Sequence, residues 1–372
     1  MMKGGDNNNN NNNNNYIYYK ILNKSSFQKK SNYTNENQKI INIHKINIHN
    51  EKYLESNSLN LKKNFIKIIN PDAFNGLVNL KELDLSENII NKITPGIFNG
   101  LDSLKKLSLG NNKIKIIKAD TFKGLVNLND LYLTYNKINE ITPGAFNGLN
   151  NLVNLDLSAN IINKITPGIF NGLDSLKYLS LDNNKIEIIE ADTFKGFVNL
   201  TQLSLSKNEI NKITPGAFNG LDSLKYLSLN DNKIEIIDAD TFKGFVNLTL
   251  LSLSENEINK ITPGAFNGLS SLEKLSLNDN KIEIIDADTF KGLVNLKELN
   301  LSENEINKIT PGAFNGLSSL EKLNLLNNNI KLTSDNEKNI ENKIYNRPVK
   351  QSIFKRLPIF KGLPNGCTVL HR

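Results

Sequence analysis

From Leu80 to Asn88 the chain reads LKELDLSEN, with leucines at 80, 83 and 85 and polar residues between them. Apolar and polar positions that alternate in this way predict a strand with one buried face, with Leu83 and Leu85 inward and Glu82, Asp84 and Ser86 outward. The pattern returns with a fixed 24-residue period. Its asparagine marks the register from Asn64, Asn88 and Asn112 through to Asn328, twelve positions with no insertion or deletion. A short fixed period overrides the two or three globular domains that length alone suggests, and predicts one solenoid whose units bury their apolar faces against their neighbours. The LxLxxN segments then stack as a parallel sheet, about 4.8 Å per strand. The asparagine amide offers donors and acceptors together, so a stacked column of them satisfies backbone groups that the bend leaves unpaired.

After each asparagine comes an Ile-x-x-Ile pair, as at Ile90 and Ile93 or Ile258 and Ile261, and then one of two segments. One is TPGAFNGL, at Thr142 to Leu149; the other is ADTFKGL, at Ala239 to Phe245 with phenylalanine in the last place. Thr142 before Pro143, and Asp238 before Ala239, have the chemistry of helix N-caps, and Gly148 and Gly244 fall where a left-handed residue ends a turn. This predicts a single helical or 3₁₀ turn per unit on the side away from the sheet. A phenylalanine recurs at 24-residue spacing from Phe74 to Phe314, eleven of the seventeen in the chain, and predicts a buried spine. The two segment types alternate with a 48-residue superperiod, except that the units of Asn136 and Asn160 both carry the TPG form. The fold class expected is an α/β repeat solenoid, a parallel sheet on one face and short helical or 3₁₀ turns on the other.

The flanks differ from the array in composition. Residues 1–39, with the run Asn7 to Asn15, have too little apolar surface to offset the entropy of ordering and are expected to be a disordered, Asn-rich segment. Residues 40–55, reading INIHKINIH in part, are strand-like and suit an N-terminal cap on the array of about twelve units at 56–330. Ser334 and Glu337 form a capping box ahead of Ile340 and Ile344, which predicts a C-terminal capping helix over 331–345; the basic stretch 346–372, with three prolines, is expected to be poorly ordered. No apolar run approaches the roughly 18 to 20 residues needed to span a bilayer, and the N-terminus does not read as a secretory signal. Cys367 is the single cysteine, so no disulfide forms within the chain and a cytoplasmic setting is expected.

The formal charge of +7 changes the picture only once it is located. Residues 1–55 carry +4 and residues 329–372 carry +6, which leaves 28 basic against 31 acidic residues in the array. The array is therefore no basic surface for nucleic acid, although Lys343, Arg347, Lys350, Lys355, Arg356 and Lys361 give the C-terminal tail an alternative role on an anionic surface. His44, His49 and His371 all lie outside the array, so no Ser-His-Asp or Cys-His arrangement can be built on it; no nucleotide-binding fingerprint, cofactor motif or metal-ligand spacing appears. The chain reads as non-catalytic. The outward strand positions form a grid whose middle columns are mostly Ser, Asn and Asp, and from this grid Tyr132, Tyr135, Tyr178, Tyr226 and Leu250 stand out. Tyrosine supplies rigid, amphipathic contact area, so these five are the candidate centre of a partner-binding patch.

The repeat LxxLxLxxNxIxxIxxxxFxxLxx, as in Leu80 to Ser103, resembles the 24-residue typical class of leucine-rich repeat, and TPGAFNGL is similar to the convex segments of Toll-like receptors, Slit-type proteins and variable lymphocyte receptors. The resemblance covers about three quarters of the chain and implies a curved horseshoe with a concave parallel sheet, on which members most often bind proteins. The cysteine-rich caps of the extracellular members have no counterpart in this sequence, which favours an intracellular interaction protein over a secreted or surface recognition protein.

Overall fold

The computed structural model describes residues 41–43, 57–330, 360, 362–364 and 366–370. Among these, thirteen three-residue strands form one parallel sheet whose spatial order is their order in the sequence, from Ser58–Asn60 to Thr368–Leu370. Up to Lys322–Asn324 every neighbouring pair is offset by one full repeat, Glu82 against Lys106 and Leu83 against Leu107, for example. Only the last pair differs, Lys322 lying against Thr368. From Glu82–Asp84 to Lys322–Asn324 the central leucine of each strand is buried, and so is the leucine two residues on, as expected from alternation.

The asparagine column works as the side-chain chemistry predicts. Asn112 accepts the Ile90 backbone N–H on Oδ1 at 3.0 Å. Its Nδ2 reaches the carbonyls of Leu85 at 3.0 Å, Leu109 at 3.0 Å and Gly110 at 3.2 Å. Each amide thus closes its own turn and ties it to the preceding coil. The residue just before each asparagine is left-handed, from Glu87 at φ 54° to Asn327 at φ 56°, and this turns the chain sharply out of the sheet.

On the far side, the phenylalanine column is a stacked spine. Successive rings from Phe74 to Phe314 lie 5.9 to 6.5 Å apart, nearly parallel. Strands pair at about 4.8 Å, so the spine side is the longer and the solenoid bends toward its sheet, which is thereby concave.

Between residues 57 and 330 the expected helical or 3₁₀ turns are absent from the convex segments, which are chains of overlapping β-turns. In the TPG form, the Ala145 N–H donates to the Thr142 carbonyl at 3.0 Å around Pro143 and a left-handed Gly144 (φ 80°), the arrangement of a type II turn. The Asn147 N–H then donates to the Gly144 carbonyl and that of Leu149 to Phe146, the latter around Gly148 (φ 85°). Two left-handed residues within five prevent any helical turn from propagating, and Pro143 is a turn residue rather than the first residue of a helix. In the ADT form, Asp240 takes the left-handed place of that first glycine (φ 60°), and the Thr241 hydroxyl bonds back to the Asp238 carbonyl at 2.8 Å.

The 48-residue superperiod is a physical unit. Within the array, short second strands pair only from an ADT coil to the TPG coil after it: Ile116–Ile117 with Glu140–Ile141, Ile188–Ile189 with Lys212–Ile213, and likewise at 236 and 284. The same coil pairs are linked by backbone bonds such as Asp192 N–H to the Gly216 carbonyl at 3.1 Å.

At the ends, the strand Ile41–Ile43 pairs in parallel with Ile66–Ile69, beside the second-strand side of the first coil. The predicted disordered segment 1–39, the rest of the predicted cap and the predicted helix over 331–345 lie outside the described residues. Of the stretch 346–372, the described residues 360, 362–364 and 366–370 pack onto the end of the array. Phe360 stacks on Phe314 at 6.2 Å, Cys367 and Val369 are buried, and Thr368–Leu370 closes the sheet as a thirteenth coil. The cause is legible afterwards: Phe360-Lys361-Gly362-Leu363 repeats the convex tetrapeptide Phe122-Lys123-Gly124-Leu125.

The column and the closing coil can each be tested. Asn184→Leu leaves the carbonyls of Leu157, Leu181 and Asp182 and the Ile162 N–H without their partner, and urea denaturation is expected to show a loss of about 3 kcal/mol or more. Burial pushes the Cys367 thiol up to about 11, so the folded chain keeps a proton that an unfolded thiol sheds nearer its ordinary value. The stability this gives is present at neutral pH and lost as pH rises through that interval. Ellman's reagent at about pH 8 is expected to leave the native thiol unreacted and to label it promptly in urea, since the thiolate is the nucleophile.

Candidate functional site

The concave sheet is the broad surface that the fold leaves uncovered among the described residues. Its backbone hydrogen bonds are already spent between strands, and its inward leucines fix the outward residues at the strand spacing. What it presents is therefore a rigid grid of side chains, whose chemistry is set by three columns: the first and last residues of each strand, and the left-handed residue beyond it.

Four of the five sequence candidates are brought together. Tyr178, Tyr226 and Leu250 occupy the first strand column, in register with Gln202 between the two tyrosines. Tyr132 stands in the last strand column, two coils before the strand that carries Tyr178. The Lys106 ammonium lies 5.5 Å from the Tyr132 ring centre, over its face, as a cation–π contact. Asp130 beside it accepts a hydrogen bond from the Asn154 amide at 2.5 Å. Tyr135 is placed differently. It is the left-handed residue of its turn (φ 53°) and stands 61% exposed on the rim, where the strand leaves the sheet.

The serines between these features are not the solvated positions that alternation alone suggests. Ser180 and Ser228 are each only 2% exposed although they belong to an outward column. The Ser206 and Ser228 hydroxyls meet at 2.6 Å, and Asp182 accepts from the Ser204 hydroxyl at 2.6 Å and the Ser206 N–H at 2.7 Å. They make a shallow, hydrogen-bonded floor with Tyr178, Tyr226 and Leu250 along one side. Sequence reasoning missed this floor because a serine's burial depends on the bulk of residues one column away.

The electrostatics are those of a surface that discourages further negative charge near its aromatic centre. Burial raises the pKa of the Tyr132 and Tyr178 hydroxyls above the ordinary tyrosine value, and the carboxylates of Asp130, Asp156 and Asp182 add to it. At the rim on the far side of the turn, Lys233 and Lys185 hold the Glu209 carboxyl below the usual range by hydrogen bonding, at 2.9 and 3.1 Å. Such exposed pairs add little stability. Among the described residues no group of three or more His, Cys, Asp or Glu side chains is arranged to hold a metal ion, and no helix is long and apolar enough to cross a membrane. The three histidines of the sequence lie outside the described residues.

Because folding raises these two hydroxyl pKa values, the folded chain retains protons that the unfolded chain releases near about pH 10. Their contribution to stability is present below that pH and lost as pH rises through the unfolded and then the folded value. Ultraviolet titration at alkaline pH is expected to show two tyrosines ionising late, one disappearing in Tyr132→Phe and the other in Tyr178→Phe.

The comparisons agree with this architecture. The family model described as leucine rich repeat matches in overlapping segments, 57–114, 102–162, 150–210, 198–258, 231–282, 246–306 and 270–330. No curated protein matches the chain. Among solved structures, an internalin from Listeria monocytogenes is 27% identical, with a TM-score of 0.58, over 75% of this chain and 76% of the internalin. Toll from the Drosophila Toll–Spatzle complex is 24% identical, with a TM-score of 0.67, over 76% of this chain but 41% of that one. That likeness is one of fold, and this chain spans well under half of the Toll chain it matches. With the 24-residue register, the asparagine column and a family model matching across 57–330, the chain belongs to the leucine-rich repeat proteins.

Proposed function

We propose that this chain is a non-catalytic scaffold that binds a protein partner on its concave face, centred on Tyr132, Tyr178, Tyr226 and Leu250, with Tyr135 at the edge of the contact. The observation that carries the proposal is the grouping of large, part-buried side chains on an otherwise polar and charged sheet that nothing covers among the described residues. Tyrosine and leucine held by a rigid sheet lose little conformational freedom on contact, and buried aromatics of this kind dominate interface energetics. The fold class supports it: a solenoid of the same architecture, Toll, stands in a complex with Spatzle. The single cysteine of the sequence supports a reducing, cytoplasmic setting.

Affinity capture with the full chain, compared with Tyr178→Ala combined with Tyr226→Ala, tests the proposal. Both side chains are part-exposed, so the double variant is expected to fold as the parent does. It is expected to lose the proteins that the parent retains, with captured partners reduced at least about tenfold if each tyrosine contributes near 1 kcal/mol. Equal capture by both chains, measured by quantitative mass spectrometry, overturns it.

A further inference from the structure

Deepening that proposal, and resting on it, we infer that the partner presents an amphipathic helix to the C-terminal half of the concave face, with lysine or arginine along one flank and apolar residues along the other. The left-handed rim position, which turns the chain out of the sheet, carries Asp231, Glu255, Asp279 and Glu303 in four successive coils. All four are exposed, and among the described residues none has a lysine or arginine within ion-pair distance. The contrast with Glu87, at the same position seven coils before Glu255, is informative. There Lys62 and Lys63 lie 2.8 and 3.0 Å from the carboxylate and hold its pKa down. The C-terminal row lacks such internal compensation. Its boundary is equally plain, since Lys207 occupies the position one coil before Asp231.

Opposite this rim, across the serine floor, Tyr226 and Leu250 form the apolar side of the same trough. In the next two coils their column holds Lys274 and Glu298, which pair with one another at 3.2 Å and offer no net charge. The floor connects mechanically to the rim: Asn278 accepts from Ser254 at 2.7 Å and Asn300 at 3.0 Å and donates to Asp279 at 2.6 Å. One side of the trough is therefore apolar in its first two coils and without net charge in the next two, while the other is anionic through all four, and both run along the solenoid axis.

The spacing selects the partner's conformation. Three successive carboxylates one strand apart span about 9.6 Å. Basic residues at i, i+4 and i+7 of a helix span about 10.5 Å along its axis and share one stripe, with the neighbouring stripe free to be apolar. An extended strand laid along the solenoid axis repeats each side every two residues, roughly 6.6 Å, and falls out of step with the coils within three of them. The charge of the trough excludes an acidic helix, since like charges brought together on desolvation repel.

The test is fluorescence anisotropy with the full chain and two labelled peptides. One has lysine at i, i+4, i+7 and i+11 with leucine on the adjoining stripe; the other has glutamate in place of each lysine. The lysine peptide is expected to bind, with affinity at least about tenfold weaker in D231N/E255Q/D279N/E303Q and similarly weaker as salt rises from about 50 to 500 mM. The four substitutions are near-isosteric and exposed, so folding is not at issue. Absence of binding by the lysine peptide, equal binding by the glutamate peptide, or undiminished binding by the carboxamide variant each overturns the inference. If any of these occurs while capture still depends on Tyr178 and Tyr226, the concave scaffold stands and only the chemistry of its partner falls; if capture is also indifferent to the two tyrosines, the scaffold proposal falls with it.

Discussion

Each turn out of the sheet passes through a left-handed residue and aims two or three carbonyls at the interior, where no water serves them; the asparagine that follows satisfies those of its own coil and one of the coil before. The rest of the fold depends on that buried amide. An unpaired carbonyl there costs more than most packing defects, so the spacing between amides never changes along the column while surface positions drift. The one large departure from the period comes after Asn328, the last amide of the column, and before Phe360, where no further link in the column has to be made. Insertion is tolerated where the ladder has ended.

The curvature has an equally simple origin. Hydrogen bonds set one edge of each coil to the next at about 4.8 Å, and stacked phenylalanine rings set the other at 5.9 to 6.5 Å. No flat solenoid satisfies both. Where Phe197 and Phe245 replace the leucine of their coils, their rings tilt against Phe170 and Phe218 at 5.5 and 5.3 Å and thicken the spine locally. Both lie behind the coils whose strands carry Gln202 and Leu250, next to the tyrosines of the concave face, so the bend and the candidate contact surface are shaped by the same stretch of chain.

Much of this is legible in the sequence because a repeat states its core many times over. Leu83, Asn88 and Phe98 each occur in a column, and one coil teaches the rest. The convex turn is less legible, since Thr-Pro-Gly suits a helix start as well as a type II turn and only the φ of Gly144 decides between them. Asp240 hides the same turn, because nothing in its side chain announces a left-handed backbone. The last coil escapes notice because Phe360 stands two positions short of two full repeats from Phe314, and a search in whole repeats passes over it. Of the candidate site, the common column of Tyr178, Tyr226 and Leu250 follows from arithmetic, whereas the rim placement of Tyr135 and the burial of Ser180 depend on a turn geometry and a neighbour's bulk that periodicity does not encode.

The pairing of an ADT coil with the TPG coil after it carries a genetic consequence. The second-strand and Asp-to-Gly bonds close within such pairs, whereas the junctions between pairs keep the asparagine column, the main sheet, the phenylalanine spine and a few bonds such as Lys233 N–H to the Ile210 carbonyl, so the seam with fewest bonds falls after each TPG segment. Unequal crossing-over that adds or removes a pair at that seam leaves every interface of a kind already present. One that moves a single coil makes a new kind of junction, like the one at Thr166, whose coil lacks a second-strand partner among the described residues. The hydrogen bonds of the convex side therefore channel changes in length into whole pairs of coils, so that a duplication arrives already folded against its neighbours.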